Sequence, residues 1–258
     1  KKLLEKKLEM PFFKEAVLEI ADVEMELGHH DDSLVWLNKI VADGTSKNPY
    51  FLAKAYDLMG VCFQRKGEHE KALDCFSKGI EAVKNLPELK WLQVTLNNRK
   101  VFSEHALGRV EEAKKIAKSA YADWLNELNE EEKEKSASID LGVIYFNERN
   151  YDQAISFIEE QCKYLEKNSW QWAYPRSLYY LGASYAKIAK FDLSRKALLA
   201  CLSILKPRKH ILWIHVVYNE LASMELSRGN FDEAILNYKR AFVAANRAGD
   251  YLNYASAF

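Results

Sequence analysis

Small and aromatic residues return along this chain in a fixed order at helical spacings. The order is clearest between Ala55 and Gly79. Gly60 and Phe63 stand three apart, Gly67 follows, and Ala72 and Phe76 stand four apart before Gly79. Such spacings place side chains on one face of a helix, while strand-like alternation of apolar and polar positions is absent. The pattern predicts two helices joined by a glycine turn.

The same ruler finds the pattern again at Gly142, Tyr145, Tyr151 and Ala154, at Gly182, Tyr185, Phe191 and Leu198, and at Ala222, Gly229, Phe231, Ala234, Tyr238 and Ala241. Weaker copies hold Ala21, Gly28, Ser33 and Leu37, and Gly108, Val110, Ala113, Ala117 and Ala120. Their first small-residue positions, Ala21, Gly60, Val101, Gly142, Gly182 and Ala222, are separated by 39, 41, 41, 40 and 40 residues. Seven of the ten glycines occupy either that position or the turn, and all five prolines fall between one hairpin and the next. A Gly or Ala where two antiparallel helices meet leaves room for a bulky neighbour, and a Gly at the turn supplies the positive φ that ends a helix. Pro is tolerated where its missing N–H has no helical partner.

The order resembles the tetratricopeptide repeat, whose signature positions 8, 11, 15, 20, 24 and 27 coincide with Gly60, Phe63, Gly67, Ala72, Phe76 and Gly79. The expected fold is all-α: a right-handed α-α superhelix of about six such helical hairpins with a period near 40 residues. It is expected to form one solenoid over residues 1–258, with repeats at about 12–45, 50–87, 90–128, 132–168, 174–206 and 211–248. Both ends read as truncated. Residues 1–10 suit the tail of a preceding second helix, and the stretch from Gly249 to Ala255 suits the opening of a seventh first helix.

Composition narrows the function. The 258 residues include 37 Lys+Arg against 37 Asp+Glu, so the chain lacks the basic surplus with which a protein neutralises phosphates, and no nucleic acid is expected on it. No apolar run approaches membrane-spanning length. Cys62, Cys75, Cys162 and Cys201 are scattered, without disulfide or zinc spacing, and point to the reducing cytoplasm. No phosphate-binding, zinc-protease or nucleophile-elbow motif is present, so the chain reads as non-enzymatic and without cofactors. The cluster His29, His30, Asp31 and Asp32 reads as a solvated turn with Asp32 capping a helix, and the cysteines as small buried hydrophobes. Most of the six tryptophans read as packing residues, with Trp170 and Trp172 placed in a loop.

What remains for function is the flank of each first helix that the hairpin contact does not use. There the ruler places Asp57 and Gln64, then Asn98, Phe102 and His105, then Phe146 and Asn147, Tyr179, and finally Asn219 and Ser223. An Asn amide can donate to and accept from the main chain of an extended peptide, and aromatic rings make pockets for its side chains. These ten residues are the candidate peptide-binding set. An extended ligand of about seven residues would cover two or three repeats.

Repeats near 40 residues with endings such as Ala244-Ala245-Asn246-Arg247-Ala248-Gly249-Asp250 resemble those of the bacterial cytoplasmic peptide-pheromone receptors, the Rap and PlcR/NprR group. They also resemble the GoLoco-binding adaptors of animal cell polarity. The first resemblance implies a groove for a short signalling peptide in a quorum-sensing regulator of transcription, with a possible homodimer. The second implies a passive scaffold for an extended segment of a protein partner. Position 6, often Asn in Rap-type grooves, is here Glu19, Leu58, Arg99, Asp140, Tyr180 and Glu220, and the Lys-Asn pair of chaperone-tail clamps is missing.

Overall fold

A computed structural model describes residues 11–41, 48–166, 173–207 and 211–255. Among them it holds thirteen α-helices and no strand. The chain forms two compact units, Lys1–Asp140 and Leu141–Phe258. The first contains α1 (Pro11–Glu26), α2 (His30–Val41), α3 (Pro49–Arg65), α4 (His69–Val83), α5 (Lys90–Ala106), α6 (Val110–Glu127) and α7 (Glu130–Ser136). Consecutive helices from α1 to α6 pack on one another, and α1 also meets α3, as α3 meets α5. The second contains α8 (Asp140–Asn147), which begins at the boundary residue, then α9 (Tyr151–Leu165), α10 (Ala173–Lys187), α11 (Phe191–Leu205), α12 (Ile211–Arg228) and α13 (Phe231–Ala255). There α9 to α13 pack in sequence, and α10 also meets α12.

All six hairpins turn by the same device. The N–H five residues on bonds back to the carbonyls of Glu24, Phe63, Glu104, Tyr145, Tyr185 and Glu225, the bond that closes a helix whose next residue is left-handed. That left-handed residue is Gly28, Gly67, Gly108 or Gly229 in four hairpins, with φ between 76° and 87°. In the other two it is Arg149 (φ 61°) and Ala189 (φ 60°), where a β-carbon is held in an unfavourable region.

Packing within the hairpins follows the small-to-large rule. A β-carbon on Gly142 would lie 2.5 Å from Ile158, and one on Gly182 would lie 2.6 Å from Leu198. The third copy inverts the arrangement, with Val101 in the first helix and Ala117 in the second, both buried. Each second helix then packs against the next first helix. Phe76, Leu92 and Leu96 share one core in the first unit, as Leu198, Leu202, Val217 and Met224 do in the second. Three cysteines are buried in these layers and Cys162 is half-buried, so burial raises their thiols: Cys75 and Cys162 to about 11, Cys201 to about 12.

Several expectations are corrected. Asp32 is the third residue of α2, which begins at His30, so it does not cap that helix. The first helix of the fourth copy is broken into α7 and α8. A capping box between Asn129 and Glu132 starts α7, Trp124 donates to the Lys133 carbonyl at 3.2 Å, and Ser138 Oγ accepts from the Asp140 N–H at 3.2 Å. No new helix opens at Gly249, since α13 runs on to Ala255. Residues 1–10, Trp170 and Trp172 lie outside the described residues.

Candidate functional site

In the first unit, the unused flanks of α1 and α3, with Arg99 of α5 beside them, enclose a groove of about 540 Å³. Glu15, Leu18, Asp22, Met25 and Glu26 come from α1, while Lys54, Asp57, Val61 and Arg65 come from α3. Helical spacing sets these residues along one stripe of each helix. The lining carries five carboxylates, Glu15, Glu19, Asp22, Glu26 and Asp57, against three cations, Lys54, Arg65 and Arg99.

Asp57 is 2% exposed, with Lys54 Nζ at 3.4 Å from Oδ2 and Arg99 Nε at 3.5 Å from Oδ1. Although charge-paired, Oδ1 is buried and accepts no hydrogen bond. Arg65 is committed, bonding Glu26 at 2.6 Å and the Met25 carbonyl at 2.9 Å. Burial, then Glu26 and Glu19, raises the Asp22 carboxyl above the ordinary carboxylate range.

The remaining first-unit candidates divide by accessibility. Gln64 donates to the Arg99 carbonyl and to Ser103 Oγ, both at 2.8 Å, and so ties α3 to α5. Asn98 donates to the Ser136 carbonyl at 3.2 Å. Phe102 is 48% exposed with its ring 5.9 Å from that of His69, and His105 is exposed.

In the second unit, the corresponding flanks carry a row of four rings. Phe146 meets Tyr180 at 5.4 Å, Tyr180 meets Tyr179 at 5.2 Å and Tyr179 meets Trp213 at 5.8 Å, each pair edge to face. Arg176 lies 5.8 Å from the Tyr180 ring centre. Burial, followed by the nearby Glu220 carboxylate, raises the Tyr179 phenol to about 12. Asn147 and Asn219 are exposed, whereas Ser223 is half-buried. Sequence reasoning named Phe146 and Tyr179 but missed Tyr180 and Trp213. Tyr180 sits at the sixth position of its copy, where Rap-type grooves often carry Asn, and its aromatic character is the signal for it.

Glu24, His29 and Asp32 hold ligand atoms within 4.8 Å of one another. Their geometry is that of the turn: His29 bonds Glu24 at 2.9 Å, as Arg109 pairs with Glu104 at 3.4 Å and Asn230 bonds Glu225 at 2.7 Å in other hairpins. No described helix is long and apolar enough to cross a membrane.

The tetratricopeptide repeat family matches residues 53–82 and 136–167. No curated protein sequence matches the chain. Among solved structures, the chain is similar to one from the APC/C hetero-tetramer Cut9-Hcn1, with a TM-score of 0.68 and 16% identity over 93% of this chain and 42% of that one. It is also similar to BtubC (BKLC) from P. vanneervenii, with a TM-score of 0.61 and 15% identity over 95% and 92%. A Rap protein complexed with Competence and Sporulation Factor gives a TM-score of 0.60 and 17% identity over 96% and 66%. Identities this low establish the fold alone. The chain is an all-α helical repeat protein in which residues 53–82 and 136–167 match tetratricopeptide repeats.

Proposed function

We propose that the chain is the peptide-sensing part of a bacterial regulator of the quorum-sensing type, holding an extended signalling peptide on the open flanks of its first helices. The groove between α1 and α3 carries the reading, because it sets a buried carboxylate oxygen without a hydrogen bond among apolar residues and opposed charges. A main-chain N–H or a cationic side chain entering there would meet the exposed carboxylates Glu15, Glu19 and Asp22. Phe102, His105, Phe146, Asn147, Tyr179, Asn219 and Ser223 are the remaining contacts we assign, with Asn98 and Gln64 positioning neighbouring helices. A fold shared with a Rap protein in complex with Competence and Sporulation Factor supports the reading.

The test is to recover co-purifying peptide by mass spectrometry and titrate the synthetic peptide by fluorescence anisotropy. Phe102→Ala and Asn219→Ala are expected to weaken it about tenfold with helical content intact. Unchanged affinity in both variants would remove the assigned flank.

A further inference from the structure

On the side of α12 away from Asn219 and Ser223, a second cleft runs between α11, α12 and α13. We propose that it is a docking site for an acidic amphipathic helix of a protein partner. The cleft holds about 680 Å³, with Ile214, Tyr218, Val243 and Ala244 contributing its apolar lining.

Its rim is basic, although the chain as a whole is electrically neutral. Lys206, Lys239, Arg240 and Arg247 line it, and among the described residues no carboxylate does. All four are exposed, and among the described residues no acidic group pairs with any of them. Lys206 Nζ and Arg240 Cζ both lean on the Tyr218 ring, at 5.3 and 6.0 Å, which gathers two like charges around one ring. The adjoining furrow of about 320 Å³ shares Lys206, Tyr218 and Arg240 with the cleft and adds Glu225 and Glu233, which pair with Arg195 at 2.9 and 3.8 Å. Concentrated positive charge around an apolar floor is complementary to a ligand that is negative at its edges and apolar in its middle.

The spacing specifies the ligand further. Arg240 and Arg247 are two helical turns apart on α13, and Val243, 49% exposed, lies between them. A partner helix laid along α13 would match this with two carboxylates two turns apart and a leucine between them, all on one face. This site is independent of the first-helix flank.

The probe is a capped, alanine-based helical peptide with two Glu two turns apart and a Leu pair between them, titrated against the whole chain. Binding is expected to weaken with added salt, to fall about tenfold or more for Arg240→Glu/Arg247→Glu, and to fall when the peptide's Glu become Gln or its Leu become Ala. Arg247→Glu alone, at an exposed position, serves as the second variant and is expected to weaken binding with the melting temperature preserved. Asn219→Ala should leave this binding unchanged. Absence of binding, equal binding of the Gln peptide, or affinity that survives both charge reversals overturns the proposal. So does sedimentation showing a dimer that Val243→Glu dissolves, which would assign the cleft to a second copy of the chain.

Discussion

Gly60 and Phe76 occupy one volume between them: a β-carbon on the glycine would stand 2.2 Å from the phenylalanine ring. The ring is wholly buried, so it has nowhere to retreat. Gly60→Ala is expected to cost about 1–3 kcal/mol. Adding Phe76→Leu reproduces the Ala21 and Leu37 pair of the first copy, and should cost less than the sum of the two single changes. Urea unfolding of the four members of this cycle measures the coupling, and strict additivity would contradict the contact.

Ala189 stands where four other hairpins have glycine, at φ 60°. Releasing a β-carbon from left-handed backbone returns about 1–2 kcal/mol, offset by about 0.5–1 kcal/mol of added freedom in the unfolded chain. Ala189→Gly should therefore raise Tm slightly, and Arg149→Gly should do the same. A lowered Tm in both would mean that the side chains, rather than the backbone, set the conformation of these turns.

Glu225 is 1% exposed and accepts from Arg195 at 2.9 Å and Asn230 at 2.7 Å. Glu225→Ala removes the acceptor shared by a cation and an amide and is expected to cost about 2–3 kcal/mol. Glu225→Gln keeps one acceptor oxygen and should cost less. Chemical denaturation of both variants checks the order.

Burial holds the Glu220 carboxyl above the ordinary carboxylate range, with Lys187 drawing it partly back. A raised acid contributes its full stability below its unfolded value, and that contribution is lost as pH rises through the folded value. At neutral pH the ionised side chain is thus unfavourable. Glu220→Gln should raise Tm near pH 7, with a gain that shrinks as the pH approaches about 4. Thermal melts across that range test the sign.

Much of the fold was legible because it rests on spacing. The sixteen-residue step from Gly60 to Phe76 recurs from Gly142 to Ile158 and from Gly182 to Leu198, and each step is a close helix crossing. The turns at Arg149 and Ala189 carry no glycine, so their left-handed backbone is imposed by the surrounding helices rather than announced by residue type. The break between α7 and α8 did have a local signal, Ser138, whose Oγ accepts the Asp140 N–H where α8 begins, and the stronger forty-residue period concealed it.

The groove was less legible. Helical periodicity places Asp57 on an open flank, yet it is buried and pairs with Arg99 from the next hairpin, a relationship no local pattern encodes. The flank of α3 marks Gln64 as a ligand contact, but its amide is engaged by Arg99 and Ser103, 35 and 39 residues away. The aromatic row in the second unit was half visible, since its four rings come from three elements, α8, α10 and α12, and only the packing joins Tyr180 and Trp213 to it.

The four shielded thiols have a practical use. Cys62 and Cys75 belong to one compact unit and Cys162 and Cys201 to the other, and an alkylating reagent reacts with exposed thiolate. Modification should therefore await opening of the helices around each sulfur. Site-by-site labelling rates read by mass spectrometry would give separate clocks for the two halves, with no engineered probe, and would report whether a bound peptide slows one clock or both.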